Sequence, residues 1–306
     1  MKVIERPVKT LVENRVSFGG PNAELSIYDT WLPASQVRLQ AGEVLYCGMV
    51  TGRKVLHCPD RGILHFLPHE SFVMAPGTQV AIDFPDADPS APTTCLTIEI
   101  TRERVAQLCD HLNHTRPLEP VLEGWQYRDV PYLLTSHTTA TEALIRRLLD
   151  VFSEDDSERD VLIDLGISEL VVRMLQHQTR GLLLQVCERA PDTSGLTAAV
   201  SHIRAHLSEP IEIDTLCRLA CMSRTRFYEQ FRLQLGCTPQ AFQLQLRMEE
   251  ACRRLARGEQ VTRVCYDLGF RNPSHFTRRF QAFFGETPTC YRKRHVQVGA
   301  ELAGGL

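Results

Sequence analysis

The sequence predicts an α+β fold in which an N-terminal half built mainly of strands precedes an all-helical C-terminal half. Three observations predict it. Between Leu25 and Ile100, short runs rich in Val, Ile, Leu and Phe are separated by Gly, Pro and Asp. After Ile100 the apolar residues recur every three or four positions, which is the spacing of amphipathic helices. Near the C-terminus, one pattern occurs twice. The 306 residues are enough for two domains that each bury a core.

The N-terminal runs predict a β-barrel or jelly roll from about residue 25 to residue 100. Runs such as EVLYCGMV, ILHFL, SFVMAPG and QVAIDF have the length of strands, and Pro-Gly and Pro-Asp pairs lie between them. Many short strands with closely spaced turn residues are typical of sandwiches and barrels.

Helices are predicted over the next part of the chain, from about 101 to 187. Thr101 is expected to cap a helix that runs to His111. The segments Thr138–Phe152 and Val161–His177 follow, each with one apolar face. The expected inward residues of the second segment are Leu162, Leu165, Val172 and Leu175. Such faces must pack on the barrel, on each other or on a second subunit.

A polar stretch containing Pro and Gly, ERAPDTSG at 188–195, predicts the linker between the two domains. The N-terminal domain is therefore expected to span 1–187 and the C-terminal domain 196–296. Residues 297–306 are expected to form a tail.

The C-terminal repeat predicts two copies of one helical unit. Residues 227–242 read FYEQFRLQLGCTPQAF and residues 276–291 read FTRRFQAFFGETPTCY. Each copy predicts a helix that ends at a glycine, followed by a Thr-Pro pair that caps and begins the next helix. A shorter helix and a tight turn precede each copy, an order that predicts a helix-turn-helix, whose second helix can enter the major groove of DNA. A helical repeat scaffold is the alternative, but it needs three or more copies.

The charge distribution favours nucleic acid as the partner of the C-terminal domain. Residues 196–295 contain 16 Arg and Lys, 15 of them Arg, against 9 Asp and Glu, whereas the whole chain has a net charge of −3. Arginine makes paired hydrogen bonds to guanine edges and to phosphates. A basic domain joined to an acidic one favours a DNA-binding module with a separate regulatory half.

Residues 200–294 resemble the DNA-binding domain of the AraC/XylS family of bacterial transcription regulators. The segment DLGFRNPSHFTRRFQAFFGETPTCYR and a long bridging helix, Pro239–Arg257, carry the resemblance. Cys217 and Cys265 stand where the family usually has Ala, and Cys221 stands where the first turn usually has Gly. The segment HESFVMAPG (69–77) is similar to a strand and turn of cupin jelly rolls, and residues 44–100 resemble the sensory domain of one AraC subgroup.

The resemblance implies a sequence-specific DNA-binding transcription regulator in the cytoplasm, and an activator, as most of the family are. Its implied partners are double-stranded DNA, RNA polymerase, a small organic effector bound in the cupin-like barrel, and a second copy that forms a homodimer through the helices after the barrel. One alternative is a regulator that responds to protein contact, or to no effector, and uses its barrel only to dimerise. The other is a metal-dependent cupin enzyme fused to a DNA-binding domain.

The two recognition helices predict a set of side chains for contact with DNA. In each helix, burial of two phenylalanines one turn apart turns the opposite face outward. The first helix is expected to present Arg224, Thr225, Tyr228 and Glu229, with Arg226 on its flank. The second is expected to present Ser274, His275, Thr277 and Arg278. Asn272, the predicted cap of this helix, is also expected to contact DNA. Arg292 and Arg294 are expected to contact phosphate.

Three polar residues on otherwise apolar strands, Arg38, Tyr46 and His65, are the candidates to orient an effector. Catalytic cupins hold a metal through an H-x-H pair on one strand, a glutamate and a later histidine. This chain offers His57, His65, His69 and Glu70 but no H-x-H. We therefore expect no metal site, no cofactor and no enzymatic activity.

The composition also excludes some classes of protein. No apolar run approaches the length of a membrane span, and the start MKVIERPVKT lacks the apolar core of a signal peptide. The 11 cysteines contain no C-x2-C pair, which favours reduced thiols in the cytoplasm. Cys217 and Cys221, four residues apart, leave a redox or metal sensor as an alternative.

Overall fold

The computed structural model describes residues 7–58, 62–118, 122–129, 132–189 and 195–303. It divides into two compact units. The sandwich unit comprises residues 1–110 and 127–173, and the helical unit comprises residues 111–126 and 174–306. The second boundary between the units lies between residues 173 and 174, ahead of the predicted linker 188–195. Residues 190–194 lie outside the described part of the chain.

The sandwich unit contains two antiparallel sheets. Its strands are β1 (Asn14–Gly20), β2 (Ala23–Thr30), β3 (Ala34–Gln40), β4 (Val44–Thr51), β5 (Lys54–Cys58), β6 (Gly62–Phe66), β7 (Glu70–Met74), β8 (Gln79–Phe84), β9 (Thr93–Ile100) and β10 (Tyr132–Ser136). One sheet has the order β1-β2-β9-β4-β7-β10 and the other the order β3-β8-β5-β6. Because the two sheets share no strand among the described residues, this is a sandwich rather than a closed barrel.

The core of the sandwich lies between the sheets. Alternate residues of β4, Leu45, Cys47 and Met49, face Leu56 and Phe66 of the opposite sheet. The strand-built N-terminal fold predicted from the short apolar runs is confirmed. The sheets nevertheless begin at residue 14, ahead of the predicted start at 25. They also include β10, which pairs with β7 although a helix separates it from the other strands.

Helix α1 (Arg102–Thr115) lies between β9 and β10, and α2 (Thr139–Phe152) and α3 (Arg159–Arg189) follow β10. The predicted inward face of α3 is wrong at Leu162 and Leu165, which are 42% and 61% exposed. The reason is Gly166, where an added Cβ would lie 2.6 Å from Leu148 of α2. This close approach fixes the rotation of α3, so that Ile163, Ile167, Leu170 and Val171 are buried. The predicted inward residue Leu175 is also buried.

The helical unit contains the predicted repeat. Its helices are α4 (Gly195–Ala205), α5 (Ile213–Leu219), α6 (Arg224–Leu235), α7 (Pro239–Ala256), α8 (Val261–Asp267), α9 (Pro273–Phe284) and α10 (Pro288–Ala303). Helices α5 and α6 form the first helix-turn-helix, α8 and α9 form the second, and α7 connects them. The caps predicted at Thr238, Asn272, Gly236 and Gly285 are confirmed. Ser223, Thr238 and Asn272 each accept a backbone N–H at a helix start, and Gly236 and Gly285 end α6 and α9 with positive φ. In the described part of the chain, no helix is both long and apolar enough to cross a membrane.

Candidate nucleic-acid interface

The first recognition helix, α6, is oriented by Phe227 and Phe231, which are fully buried and lie edge to face at 5.4 Å. The opposite face leaves a set of polar side chains exposed: Arg224, Thr225, Arg226 and Glu229. Tyr228 was expected in the same set but is half-buried. Its hydroxyl accepts a hydrogen bond from Gln240 Nε2 of α7 at 3.1 Å. The tyrosine therefore also joins α6 to α7.

The second recognition helix, α9, repeats this arrangement with Phe276 and Phe280 buried. Ser274, His275 and Arg278 are exposed, and Thr277 is half-buried. Asn272 Oδ1 accepts the backbone N–H of His275 at 2.7 Å, so this side chain caps the helix.

The prediction missed Arg279, which is exposed and whose Nε donates to His275 Nε2 at 3.4 Å. Position 279 lies four residues after His275 and therefore shares its face of the helix. That spacing could have identified it.

Several arginines of the basic domain stabilise the fold itself. Arg247 donates to the backbone oxygens of Leu207 and Glu209, at 2.6 and 2.8 Å. Arg254 forms ion pairs with Glu259 and Asp267, which raise its pKa.

Arg294 pairs with Glu286 and lies over the ring of Tyr291, so the expected phosphate contact is not supported for this residue. Arg292 is half-buried on α10. The positive charge available to DNA is therefore smaller than the sequence count, and α6 and α9 carry exposed arginines at Arg224, Arg226, Arg232, Arg278 and Arg279.

The predicted effector residues do not meet in the sandwich. Arg38 is exposed on β3, where its neighbours Val37 and Leu39 face the core. His65 lies between two core-facing residues of β6, and its Nδ1 is buried without a hydrogen-bond partner in the described structure. Both side chains therefore lie on outer faces, because successive residues of a strand point to opposite sides. Burial lowers the pKa of His65.

Tyr46 is buried on the outer side of β4, in a chain of hydrogen bonds. Its hydroxyl contacts Ser71 Oγ and, at 3.4 Å, His137 Nε2. Ser71 Oγ also bonds to His137 Nε2, and His137 Nδ1 lies 2.5 Å from Glu142 Oε1 of α2. Partial burial would raise the pKa of Glu142, but hydrogen bonds from His137 and His69 lower it to about 2. The Ser–His–carboxylate order resembles a hydrolase triad, but Ser71 is fully buried and beyond the reach of a substrate.

A small cavity lies between the two sheets and contains a lysine that the prediction missed. The cavity volume open to water is about 10 Å³, which is room for about one water molecule. Lys54 Nζ donates to Glu13 Oε1 at 3.1 Å and to Cys95 Sγ at 2.9 Å, and it lies 4.8 Å from the ring centre of Phe84. Burial would lower the pKa of Lys54, but Cys95 and the Glu13 carboxylate raise it. The position of Lys54 at the start of the apolar run KVLHC is the sequence feature that could have identified it.

The candidate metal ligands have separate partners. His57 Nε2 pairs with Asp83 Oδ2 at 2.7 Å, His69 pairs with Glu142, and a carboxylate oxygen of Glu70 accepts the N–H of Leu67. In the parts of the chain that the structure describes, no group of three or more His, Cys, Asp or Glu side chains could hold a metal ion.

Comparison with known proteins agrees with this architecture. Residues 21–182 match the AraC-type transcriptional regulator N-terminus, and residues 216–294 match a helix-turn-helix domain. The transcriptional activator NphR of Rhodococcus sp is 30% identical over 165 residues, which are 53% of this chain and 49% of that protein. The probable transcriptional regulator LumQ of Photobacterium leiognathi is 26% identical over 130 residues, 42% of this chain and 52% of that protein. The chain thus spans about half the length of these curated relatives.

Two solved structures are also similar. ToxT from Vibrio cholerae O395 has a TM-score of 0.37 at 11% identity, with 89% of this chain and 98% of that chain covered. The DNA-binding domain of AdpA in complex with a target DNA has a TM-score of 0.32 at 30% identity, with 34% of this chain and 94% of that chain covered.

The two matched regions define the class of protein as a helix-turn-helix transcription regulator. The match at 21–182 covers more than half of the chain, and the protein belongs to the AraC-type transcriptional regulators.

Proposed function

We propose that this protein binds specific double-stranded DNA through α6 and α9, placed in successive major-groove segments on one face of the duplex. The observation that carries the proposal is the repeated geometry of the helical unit. In both helix-turn-helix motifs a buried phenylalanine pair directs a face bearing exposed arginine outward. Two such helices are expected to lie one helical turn of DNA apart, roughly 34 Å.

Side chains on the outward faces of α6 and α9 have chemical roles in this proposal. Arg224, Arg278 and His275 donate to guanine acceptors, and Glu229 accepts from cytosine N4. Hydroxyl groups at Thr225, Ser274 and Thr277 discriminate less sharply between bases. The remaining residues of the proposed interface are Arg226, Tyr228, Asn272 and Arg292, of which Arg292 contacts phosphate.

The test is selection of bound sequences from a random duplex library with the full-length protein, followed by affinity measurements at several salt concentrations. Enrichment of one sequence is expected, with log K falling by about 0.9 per log salt for each phosphate neutralised. Binding without sequence preference, or without salt dependence, would refute the proposal.

A small organic effector in the sandwich unit is the second part of the proposal, and Lys54 is the observation that favours it. A buried ammonium group beside apolar side chains suits a small acid, whose carboxylate would replace that of Glu13. The present cavity holds only about one water-sized sphere, so an effector has to displace side chains. A sandwich used only for dimerisation is the alternative.

A panel of small organic acids, screened by thermal shift, tests the effector proposal. Hits should be lost in Lys54→Met and retained in Arg38→Met, whose side chain lies outside the core. A genuine effector must also change DNA affinity, and DNA must change effector affinity by the same factor. A panel without hits, or hits unaffected by Lys54→Met, would favour the dimerisation-only alternative.

The proposal also includes a homodimer, activation through RNA polymerase and a cytoplasmic location. Of the two predicted dimer faces, that of α2 is buried within the chain, whereas α3 leaves Val161, Leu162 and Leu165 exposed. Sedimentation of the full-length protein should show a dimer that Leu165→Glu dissociates and Arg38→Met does not. A monomer at tens of micromolar would reject this surface. Transcription in vitro with purified RNA polymerase distinguishes activation from repression.

A further inference from the structure

A lysine and a cysteine from opposite sheets meet in the core of the sandwich unit. Lys54 begins β5 in the four-stranded sheet, and Cys95 lies on β9 in the six-stranded sheet. The Lys54 Nζ donates to the Cys95 Sγ at 2.9 Å, although 41 positions separate the two residues in the chain. Lys54 is 5% exposed and Cys95 is 2% exposed. Two nucleophilic groups, an amine and a thiol, are therefore held in contact away from solvent.

The use of lysine gives this position a reactivity that arginine would lack. Of the 34 basic residues in the chain, only four are lysine, so arginine is the ordinary cation of this protein. A guanidinium stays protonated in proteins, whereas an amine can lose its proton and react through its lone pair. An acceptor for that proton is in place, because Nζ also donates to Glu13 Oε1 at 3.1 Å. Lys54, Cys95 and Glu13 thus supply an amine, a thiol and a base.

The same three side chains line the small cavity between the sheets. Much of the remaining wall is apolar and includes Leu56 and Phe66. A charged oxidant would have to lose its hydration to enter such a site, which is costly. Dioxygen is small and uncharged, so it is the oxidant that this cavity is suited to admit.

We propose that Lys54 and Cys95 form a modification site, at which dioxygen joins their side chains through one oxygen atom as a covalent N–O–S bridge. Glu13 takes the proton that the ammonium group loses. The S–H bond, one N–H bond and the O–O bond then break, and N–O and O–S bonds form. The second oxygen atom leaves as water with the two hydrogens. Sulfur and nitrogen supply the four electrons that dioxygen accepts, and two equivalents of a dithiol reductant return them and release the bridging oxygen as water.

The geometry favours this bridge over the other products of thiol oxidation. One inserted oxygen atom keeps Nζ and Sγ near their present separation, whereas a direct sulfur–nitrogen bond would draw them closer together. A disulfide with Cys47, the other thiol of the cavity, is disfavoured by the strand register. Cys47 is paired with Thr97 and Cys95 with Met49, so the two cysteines are diagonal neighbours. Their Cα atoms are then roughly 7–8 Å apart, beyond the usual span of a disulfide.

Mass spectrometry of the full-length protein tests the bridge. Protein purified with dithiothreitol and then held in air-saturated buffer should gain one oxygen and lose two hydrogens, a change of about 14 Da. Trypsin should then release residues 54–61 joined to residues 62–102, because it no longer cleaves after a modified Lys54. Dithiothreitol should reverse both changes. Protein unfolded in urea should not form the bridge, because the two side chains are no longer in contact.

Substitutions identify the atoms involved. The bridge should be lost in Lys54→Arg, which keeps a cation, and in Cys95→Ala, which leaves Lys54 paired with Glu13. Cys47→Ala is the matched control, since this thiol is also buried and lines the same cavity, and it should form the bridge as the wild type does. Glu13→Gln should slow formation by about tenfold or more. A disulfide between Cys47 and Cys95, oxidation of Cys95 alone, or an unchanged mass of the folded protein overturns the inference.

The bridge also affects the proposed effector site, and this step rests on the effector part of the proposed function. A nitrogen bonded to oxygen is a much weaker base than an alkyl amine, so the bridged Lys54 offers no ammonium group to a carboxylate. Acids that bind the reduced protein should lose affinity by about tenfold or more after oxidation and regain it with dithiothreitol. In Cys95→Ala, exposure to air should not change their affinity.

Acids that bind the reduced and the bridged protein equally well overturn this last step. A panel without hits instead refutes the effector proposal, and the mass measurements still decide whether Lys54 and Cys95 are joined.

Discussion

The two helix-turn-helix motifs share one sequence repeat but differ in what completes them. The second has its own core, drawn from residues 207–291, and a glycine at its turn. The first takes Leu122 from a distant part of the chain and has Cys221 at the corresponding turn position. The repeated sequence therefore specifies two similar helix pairs, but the core of the first also contains a residue from a distant part of the chain.

The two motifs also differ in the residue that adopts the left-handed backbone conformation at the turn. Cys221 has φ of +52° and Gly269 has φ of +77°, a region that favours glycine. Gly269 has no alternative, because an added Cβ would lie 1.9 Å from the backbone oxygen of Ser208. Cys221 has an exposed side chain, and its thiol donates to the backbone oxygen of Arg218 at 3.7 Å. The first turn tolerates a strained residue, whereas the second requires glycine.

The largest expected effect compares the two cores. Phe231→Ala and Phe280→Ala should each destabilise their motif by about 3–5 kcal/mol through lost burial and a cavity. Phe231→Ala should also accelerate hydrogen exchange in 111–126, because Leu122 shares its cluster, whereas Phe280→Ala should leave that segment unchanged. An identical response of 111–126 to both substitutions would remove the distinction between the motifs.

A smaller effect is expected from the exposed arginines. Arg224→Ala and Arg278→Ala should each reduce discrimination at one or two base pairs by about 1–3 kcal/mol without lowering thermal stability. Competition binding with single-base variants of the selected duplex measures this. If either variant unfolds, or discriminates between bases as the wild type does, the assigned orientation of that helix is wrong.

Comparison of the two turns predicts a still smaller effect on stability, and this effect is a stabilisation. Cys221→Gly should stabilise the first motif by up to about 1 kcal/mol, since relief of the left-handed strain exceeds the entropy that glycine adds to the unfolded chain. Gly269→Ala should be strongly destabilising because of its clash with Ser208. Thermal melting of the full-length variants provides the measurement, and destabilisation by Cys221→Gly would show that its thiol contributes more than the strain costs.

The smallest effect is expected at Asn272, which was predicted both to cap α9 and to contact DNA. Asn272→Ser keeps a cap of similar strength, so stability should change by only a few tenths of a kcal/mol. Sequence discrimination should also be unchanged if capping is its whole role. A loss of discrimination at preserved stability would instead place Asn272 among the residues that contact bases.

The sequence by itself determined the helical half of this protein in detail. Ser223, Thr238 and Asn272 begin helices, and Gly236 and Gly285 end them, because capping depends on residues within one turn of the chain. The phenylalanine spacing set the faces of α6 and α9 for the same reason. The sequence also predicted the strand-rich N-terminal half.

Only the tertiary structure decided how distant parts of the chain combine. Leu162 and Leu165 were placed inward from their spacing, yet Gly166 rotates α3 and exposes them. Arg38 and His65 lie outside the core and Lys54 inside it, because which face of a strand is buried depends on the sheet packed against it. The burial of Leu122 in the first helix-turn-helix had no local signal at all. Contacts across long stretches of chain arise from packing, and packing depends on residues that a local pattern does not contain.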